Sequence, residues 1–332
     1  MFLKNNIPIK PIATVIPEKK TALPAVDNEI AMARIKDRLK NNSPGPFFVD
    51  SSCIDCGSCW QIDPEHFAPT GSSSYVHTQP NGQQEVEKAL LALIDCPVAA
   101  IGAPKHLTAK SSADVFPILV TKHPAGDVYY CGWSSKRSFG ASSWLIHSAE
   151  GNVLIDSPRW SAPLAKQIKK MGGINQIVLT HRDDVADHAN WAKAFNCERW
   201  IHQDDADAAP EAEKQVIGID VLSLRKNLKL IPTPGHTKGS MVAVLGDQQQ
   251  ILFSGDHLWW NPKKSVTVAS KDYCWWNWTE QLKSVERLLD LEVHWLLPGH
   301  GYAHQFKPGQ WKEALEQTLR HAARATSSGQ IE

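Results

Sequence analysis

The sequence has no excess of charge of either sign. Lys plus Arg and Asp plus Glu number 35 each, so the formal net charge is zero. Proteins that bind the phosphate backbone of nucleic acids carry an excess of basic residues, so no nucleic-acid partner is expected. No apolar run approaches the roughly 20 residues that span a bilayer, and residues 1–40 contain no apolar secretory core. We therefore expect a protein of a reducing compartment, the cytoplasm, with no membrane partner.

A disulfide framework is also missing. Of seven cysteines, Cys131, Cys197 and Cys274 are scattered singly through the later chain. Such an odd, spread set is not typical of paired thiols, and we expect these three to be small buried hydrophobes. A Gly-rich phosphate loop does not occur either, so nucleotide chemistry is not indicated.

The other four cysteines form a motif. Cys53, Cys56 and Cys59 follow one another at C-x2-C-x2-C spacing, and Cys96 stands before a proline about forty residues later. Four thiols could hold zinc, but a triplet at three-residue intervals is poor zinc-finger spacing and good cluster spacing. Residues 47–104 resemble the bacterial-type ferredoxins. Asp63 stands where two-cluster members have a further cysteine, so the resemblance implies one [4Fe–4S] cluster, with a helix over 85–94.

Pro and Gly divide the chain. We predict a flexible arm with a helix near 25–40 (residues 1–46), a ferredoxin-like domain (47–104), a linker (105–114) and a large domain (115–332). The large domain alternates strands and helices, which suggests two packed sheets covered by helices. Predicted strands lie at 115–120, 128–131, 143–147, 153–155, 177–180, 199–202, 229–231, 241–245, 251–253 and 295–297. Predicted helices lie at 163–171, 279–291 and 310–325, the second with Thr279 as its N-cap.

Acids and histidines follow the apolar runs of this large domain. Strand ends deliver such side chains to one sheet edge, which predicts a two-metal site there. The candidates, in chain order, are Asp156, His181, Asp183, Asp187, His188, His236, Asp256 and His300. Their order and the segments Thr-Pro-Gly-His-Thr and Pro-Gly-His-Gly resemble the metallo-β-lactamase-fold enzymes. The resemblance implies an α+β fold, an αββα sandwich with metals at one edge between the sheets, behind the ferredoxin-type domain.

The resemblance also implies roles for these residues. The first metal would be held by His181, Asp183 and His236. The second would be held by Asp187, His188 and His300. Asp256 would bridge the two ions, Asp187 would also carry the proton as the catalytic residue, and Asp156 would support the ligands without binding metal.

One segment departs from the family's pattern. The usual His-x-His-x-Asp-His has six residues, whereas His181 to His188 spans eight. Anchoring both ends leaves Asp183 or Asp184 as the third ligand, and a site with only one ion also stays open. A carboxylate in place of an imidazole favours harder ions such as iron, although zinc accepts it too. The flavodiiron reductases, which use this fold, have Glu at that place and bind iron.

Three functions fit the sequence. The first is a hydrolase of a small-molecule ester, thioester or lactone with two divalent ions, zinc or iron, and a redox-sensing or electron-transfer cluster. The second is an oxidoreductase that passes electrons from the cluster to a non-haem iron site acting on oxygen, nitric oxide or a sulfur compound. The third is an electron carrier with a binding scaffold. We favour the first.

The resemblance also bears on partners and location. The fusion resembles proteins of cyanobacteria and plant plastids, so the plastid stroma is expected if the source is a plant. The cluster implies a redox partner protein. Thirteen Trp residues, with clusters at 259–260 and 275–278, predict either an aromatic substrate pocket or ordinary packing.

Overall fold

The computed structural model of the chain describes residues 33–109 and 113–328. The predicted arm lies mostly outside these residues, and the described end of the predicted 25–40 helix holds a short 3-10 turn, Ile35–Asp37. No helix in the described part of the chain is long and apolar enough to cross a membrane.

Short elements surround the four cluster cysteines. In order they are β1 (Phe48–Val49), α1 (Ser58–Ile62), β2 (Phe67–Pro69), β3 (Ser74–Val76), α2 (Gln83–Asp95) and β4 (Ile101–Gly102). β1 pairs with β4, and β2 pairs with β3, each antiparallel. Helix α2 agrees with the helix expected before the last cysteine. A further helix, α3 (Lys105–Thr108), lies in the predicted linker.

The first large sheet holds seven strands. They are β5 (Ile118–Thr121), β6 (Asp127–Tyr130), β7 (Trp144–His147), β8 (Val153–Ile155), β9 (Gln176–Val178), β10 (Glu198–His202) and β11 (Lys214–Val216), paired in this sequence order. Strands β8 to β11 run parallel. Helix α4 (Ala162–Lys170) joins β8 to β9, and α5 (His188–Phe195) joins β9 to β10.

The second large sheet holds six strands in the order β12-β13-β14-β15-β18-β19. Its members are β12 (Leu222–Arg225), β13 (Leu228–Pro232), β14 (Met241–Leu245), β15 (Gln250–Gly255), β18 (Val293–Pro298) and β19 (His304–Gln305). Between β15 and β18 lie a hairpin, β16 (Trp259–Asn261) with β17 (Val266–Val268), and helix α6 (Trp278–Glu286). Helix α7 (Gln310–Ser328) follows. The N-cap of α6 is Asn277, whose side chain accepts from the Glu280 amide, so the prediction of Thr279 was wrong by two residues.

The two sheets pack face to face, as strand β14 demonstrates. All five of its residues are buried. Met241, Ala243 and Leu245 join the core between the sheets, whereas Val242 and Val244 join the core under α6 and α7. Successive strand residues point to opposite faces, so a strand covered on both sides is apolar throughout. The predicted αββα sandwich behind a small cysteine-bearing part is confirmed.

Helix α2 connects the small part to the sandwich. Leu91 and Ile94 of α2 belong to the same buried apolar cluster as residues of the first large sheet, such as Tyr130 and Trp144. Buried Asp95 accepts from the Tyr130 hydroxyl at 2.9 Å and from the Ser134 amide at 3.0 Å. The cluster cysteines are therefore held against the sandwich by apolar packing and by buried hydrogen bonds.

Candidate metal centre and cluster site

Candidate ligands gather where strands of both sheets end. His181 follows β9 and precedes the 3-10 turn Arg182–Asp184. The other three follow the second sheet's strands: His236 comes after β13, Asp256 after β15 and His300 after β18. The strand ends thus bring residues from distant parts of the sequence to one edge, as the sequence predicts.

The first group contains His181, Asp183 and His236. One ligand atom from each lies within 4.8 Å of the others. The Asp183 Oδ2 atom is 3.3 Å from His236 Nε2 and 3.9 Å from His181 Nε2. Two imidazoles and one carboxylate facing a common point are a donor set for zinc or iron.

The second group contains His181, Asp184 and Asp256, again with atoms within 4.8 Å. Asp256 Oδ2 is central: it lies 3.7 Å from His181 Nε2, 3.9 Å from His236 Nε2 and 3.8 Å from His300 Nε2. The geometry therefore brings together six side chains, three histidines and three carboxylates. Both aspartates that the sequence left as alternatives, Asp183 and Asp184, are among them.

Several of these ligand atoms are buried without a hydrogen-bond partner among the described residues. They are His181 Nε2, His236 Nε2, both carboxylate oxygens of Asp184 and Oδ1 of Asp256. A buried polar atom without a partner costs free energy, and buried charges are normally paired or bind metal. Cations at this position would satisfy the whole set, so these residues fit a metal centre.

The electrostatics of the centre agree with that fit. Burial raises the pKa of the Asp184 carboxyl well above its usual range, and the charges of Asp256, Asp156 and Asp183 raise it further. Burial lowers the pKa of the His181 imidazole to about 4, so this ring is neutral at physiological pH. Neutral imidazole is the form that binds metal, and cations would compensate the crowded carboxylates.

Hydrogen bonds orient the imidazoles. His236 Nδ1 pairs with the Tyr273 carbonyl at 2.5 Å. His181 Nδ1 lies 3.0 Å from Thr180 Oγ1, and that hydroxyl and the Thr180 amide donate to Asp156. With Nδ1 engaged, each ring turns Nε2 towards the centre. Asp156 acts on the ligands through Thr180.

Asp187 and His188, which the resemblance assigns to the second metal, lie apart from the six gathered side chains and face other partners. Asp187 Oδ1 pairs with the Arg137 guanidinium at 3.1 Å, and its Oδ2 accepts from the Trp160 amide at 2.7 Å. His188 Nε2 faces Glu211 Oε1 at 3.6 Å. The His181–His188 segment is two residues longer than the family's usual segment. The 3-10 turn Arg182–Asp184 and Ala186 at φ 37° accommodate this extra length, so α5 begins outside the centre. Asp184 takes the place beside Asp256.

A glycine accommodates the two buried carboxylates. A Cβ atom on Gly299 would lie 2.7 Å from Asp256 Oδ1 and 2.8 Å from Asp184 Oδ2. Sequence analysis did not single out Gly299, although it stands in the Pro-Gly-His-Gly segment, directly before His300. The close approach explains why this position has no side chain.

The four cluster cysteines line one cavity. Backbone amides face two of the sulfurs: Asp55 N and Ser74 N lie 3.4 and 3.3 Å from Cys53 Sγ, and Ala100 N lies 3.2 Å from Cys96 Sγ. Burial raises the pKa of the Cys56 thiol to about 12, so thiolates here need cations close by. A cavity enclosed by four sulfurs with amide donors fits an iron–sulfur cluster.

Aromatic side chains surround the metal centre on the solvent side. The Phe139 ring is 6.2 Å from the His300 ring, and the Trp275 ring is 6.2 Å from the His236 ring. Phe139, Tyr273, Trp275 and Trp276 are all exposed. Trp260, in contrast, stacks on His304 at 3.7 Å and is buried. The predicted Trp clusters are therefore not equivalent: Trp260 packs in the core, whereas Trp259 lies 6.3 Å from the exposed Tyr273 ring, on the side where Trp275 borders the centre.

Known families match both parts of the chain. Residues 49–103 match the model of the 4Fe-4S single cluster domain of ferredoxin I, and residues 138–300 match that of the metallo-beta-lactamase superfamily. The matched ranges contain all four cluster cysteines and the six gathered ligands. These matches support a metal-dependent role that is hydrolase-like or redox.

Similar proteins match over part of their length. An uncharacterized protein, YmaE, of Bacillus subtilis is 30% identical over 46% of this chain and 54% of its own length. A beta-lactamase-like protein 2 homolog of Drosophila melanogaster is 25% identical over 52% of this chain and 62% of its own. The chain thus spans little more than half the length of these relatives.

A solved structure of a B3 metallo-beta-lactamase with an active-site glutamic acid is 19% identical. The match covers 64% of this chain and 91% of that one, with a TM-score of 0.44.

The two family models, together with the sandwich and the cysteine-lined cavity, identify the chain as a fusion of a single-cluster ferredoxin-type [4Fe–4S] domain with a metallo-β-lactamase-fold domain.

Proposed function

We propose that the chain is a metal-dependent hydrolase of a small-molecule ester, thioester or lactone. The observation that supports it most is the ring of unpartnered ligand atoms facing one point. Two divalent ions, zinc or iron, would supply an activated water and polarise the substrate carbonyl. The metal centre is accessible to a substrate from solvent, since the Asp183 side chain is 45% exposed.

The proton-transfer role goes to Asp183 rather than to Asp187. Asp187 is committed to Arg137 and to the Trp160 amide, so it is not directed at the centre. Asp183 combines exposure with contact to His236 and His181. A carboxylate in that position can accept a proton from a reacting water and release it to solvent.

The substrate we propose carries an apolar or aromatic portion beside its carbonyl. Phe139 and Trp275 flank His300 and His236, and both side chains are more than half exposed. Exposed aromatic rings beside a polar centre are typical of sites that bind small organic molecules. Such rings have no evident use for a diatomic gas, which favours hydrolysis.

Two observations favour an oxidoreductase as the second candidate. Three of the six gathered ligands are carboxylates, a set that suits iron or manganese as well as zinc. Gly140 also lies against the cluster ligand Cys56, and the ring of the preceding residue, Phe139, lies 6.2 Å from that of His300, so the two sites are near neighbours in the structure. In this function the cluster would deliver electrons to a non-haem iron site that acts on oxygen, nitric oxide or a sulfur compound.

Turnover with defined metals separates the two candidates. Zinc-loaded protein should hydrolyse members of an ester, thioester and lactone panel, and the His236→Ala variant should lose this activity while keeping the visible absorption of its cluster. If zinc-loaded protein is inert and iron-loaded protein consumes oxygen or nitric oxide with a reductant, the hydrolase proposal is wrong.

The proposal includes a redox partner protein for the cluster. It places the chain in the cytoplasm, or in the plastid stroma if the source is a plant, because free thiols and a cluster suit a reducing compartment.

A further inference from the structure

The loop between β6 and β7 touches the cluster cavity. A Cβ atom on Gly140 would lie 2.7 Å from Cys56 Cβ and 2.8 Å from Cys56 Sγ, and Gly140 has a φ of +87°. The Ser58 hydroxyl donates to the Gly140 carbonyl at 3.1 Å and lies 3.2 Å from Cys56 Sγ. The backbone here approaches a cluster ligand as closely as a residue without a side chain permits.

The neighbouring residue of the same loop touches the metal centre. Phe139 has a φ of 49°, and its ring centroid lies 6.2 Å from that of His300. Two consecutive residues therefore contact both sites: Gly140 lies against the cluster ligand Cys56, and Phe139 lies against the candidate metal ligand His300.

A second contact joins the same two sites. Helix α1 carries Cys59, and its next residue, Trp60, packs on Tyr302 with ring centroids 4.8 Å apart. The Gln61 side-chain amide pairs with the Gly301 backbone: its nitrogen donates to the Gly301 carbonyl and its oxygen accepts from the Gly301 amide, both at 3.2 Å. The segment directly after His300 is therefore held by the helix that bears a cluster thiol.

We propose that these two contacts couple the oxidation state of the cluster to the metal centre through His300. In the coupled step the cluster takes one electron from a one-electron donor and passes from the 2+ to the 1+ state, and no bond forms or breaks. The added negative charge on the cluster and its thiolates favours cations nearby, and the two contacts transmit this effect because they fix His300 against the segments that bear the cluster thiols. The proposal rests on the metal centre of the proposed function and holds for either candidate chemistry.

Linkage gives the coupling a measurable size. If reduction of the cluster tightens zinc binding, zinc must favour reduction by the same factor. Couplings between two sites are typically about 5- to 150-fold. A tenfold effect corresponds to a rise of about 59 mV in the midpoint potential of a one-electron couple.

The test is a redox titration of the full chain with reconstituted cluster, using dithionite as reductant and electron paramagnetic resonance of the reduced cluster as readout. The metal centre is either saturated with zinc, which is redox-inert, or emptied with a chelator. A Gln61→Ala, Phe139→Ala double variant, at exposed or half-buried positions, removes the Phe139 contact with His300 and the Gln61 hydrogen bonds to Gly301. It leaves the packing of Trp60 on Tyr302 in place. The matched control is Gln317→Ala on α7, which packs against β17 and α6.

We expect zinc to raise the midpoint potential by about 59 mV in the wild-type chain and in the control. The double variant should lose more than half of this rise while still binding zinc. A wild-type shift of zero with zinc bound, or an equal shift in the double variant, overturns the proposal. The measurement needs no turnover, so a chain that hydrolyses nothing can still show the coupling, and metal analysis detects failure of the metal centre separately.

Discussion

The Asp184→Asn variant tests the metal centre, because we expect it to stabilise the metal-free chain and to weaken zinc binding. Both Asp184 oxygens are buried without partners, and the carboxylates of Asp184 and Asp256 have oxygens within 4.8 Å of each other. Two unit charges at that separation repel by about 3.5 kcal/mol at an effective dielectric constant of about 20. Burial and neighbouring charges raise the pKa of Asp184, so near neutral pH the folded chain tends to take up a proton that the unfolded chain lacks, and this uptake also lowers stability.

Replacing the carboxylate by an amide removes that cost without breaking a hydrogen bond. We therefore expect Asp184→Asn to stabilise the metal-free chain by about 2–3 kcal/mol, a rise in Tm of about 3–4 °C for a chain of this size. Zinc affinity should fall at least about tenfold, because one charged ligand is lost. The assay is thermal unfolding of chelated and zinc-loaded protein.

Asp187→Asn is the matched control. Its carboxylate accepts hydrogen bonds from Arg137 and the Trp160 amide. We expect the metal-free Tm to fall slightly, with a loss of about 1 kcal/mol, and the stabilisation by zinc to stay. The reasoning is refuted if Asp184→Asn lowers the metal-free Tm and keeps the full zinc effect, or if Asp187→Asn alone abolishes it.

Three further outcomes follow from the structure. Gly299→Ala should lower zinc content several-fold because its methyl group would displace two buried carboxylates, whereas Gly309→Ala, at an open position, should bind zinc normally. Tyr130→Phe should lose about 1–2 kcal/mol in urea unfolding, since it leaves the buried Asp95 short of a donor; an unchanged midpoint would contradict this. Burial lowers the pKa of His304 to about 4, so its neutral form stabilises the fold, and this contribution falls as pH drops from about 6.5 towards 4. Between pH 7.5 and 5, His304→Gln should lose about 1–2 kcal/mol less stability than the wild type, and an equal loss would contradict the assignment.

The sequence predicted the strands that carry the ligands because their apolar runs end in acids and histidines. The predicted strands at 241–245 and 153–155 have the observed bounds, β14 and β8. Both are fully buried, so every residue in them is apolar and the runs are unmistakable. The hairpin β16–β17 was missed because its strands are short and contain the polar residues Asn261 and Thr267, so neither forms a continuous apolar run as β8 does.

The ligand assignment after β9 could not be read from spacing. The sequence left Asp183 and Asp184 as alternatives and assigned Asp187 to the second metal. That Asp184 lies beside Asp256 while Asp187 points elsewhere depends on the 3-10 turn Arg182–Asp184 and on Ala186 at φ 37°. Neither can be predicted from the hydrophobic pattern, because that pattern indicates the buried faces of helices and strands and not the conformation of local turns. The contact of Gly140 with Cys56 was equally hidden, since it joins residues more than eighty positions apart through tertiary packing.

Metal and sulfide content per chain tests the central claim most directly. The four cysteines predict about four iron and about four acid-labile sulfide in anaerobically purified full-length protein. The gathered histidines and carboxylates predict about two further metal ions, zinc or iron, without matching sulfide. That excess, lost in His236→Ala while sulfide is kept, is the result we predict. Metal equal to sulfide in the wild-type protein would contradict the account of the second site.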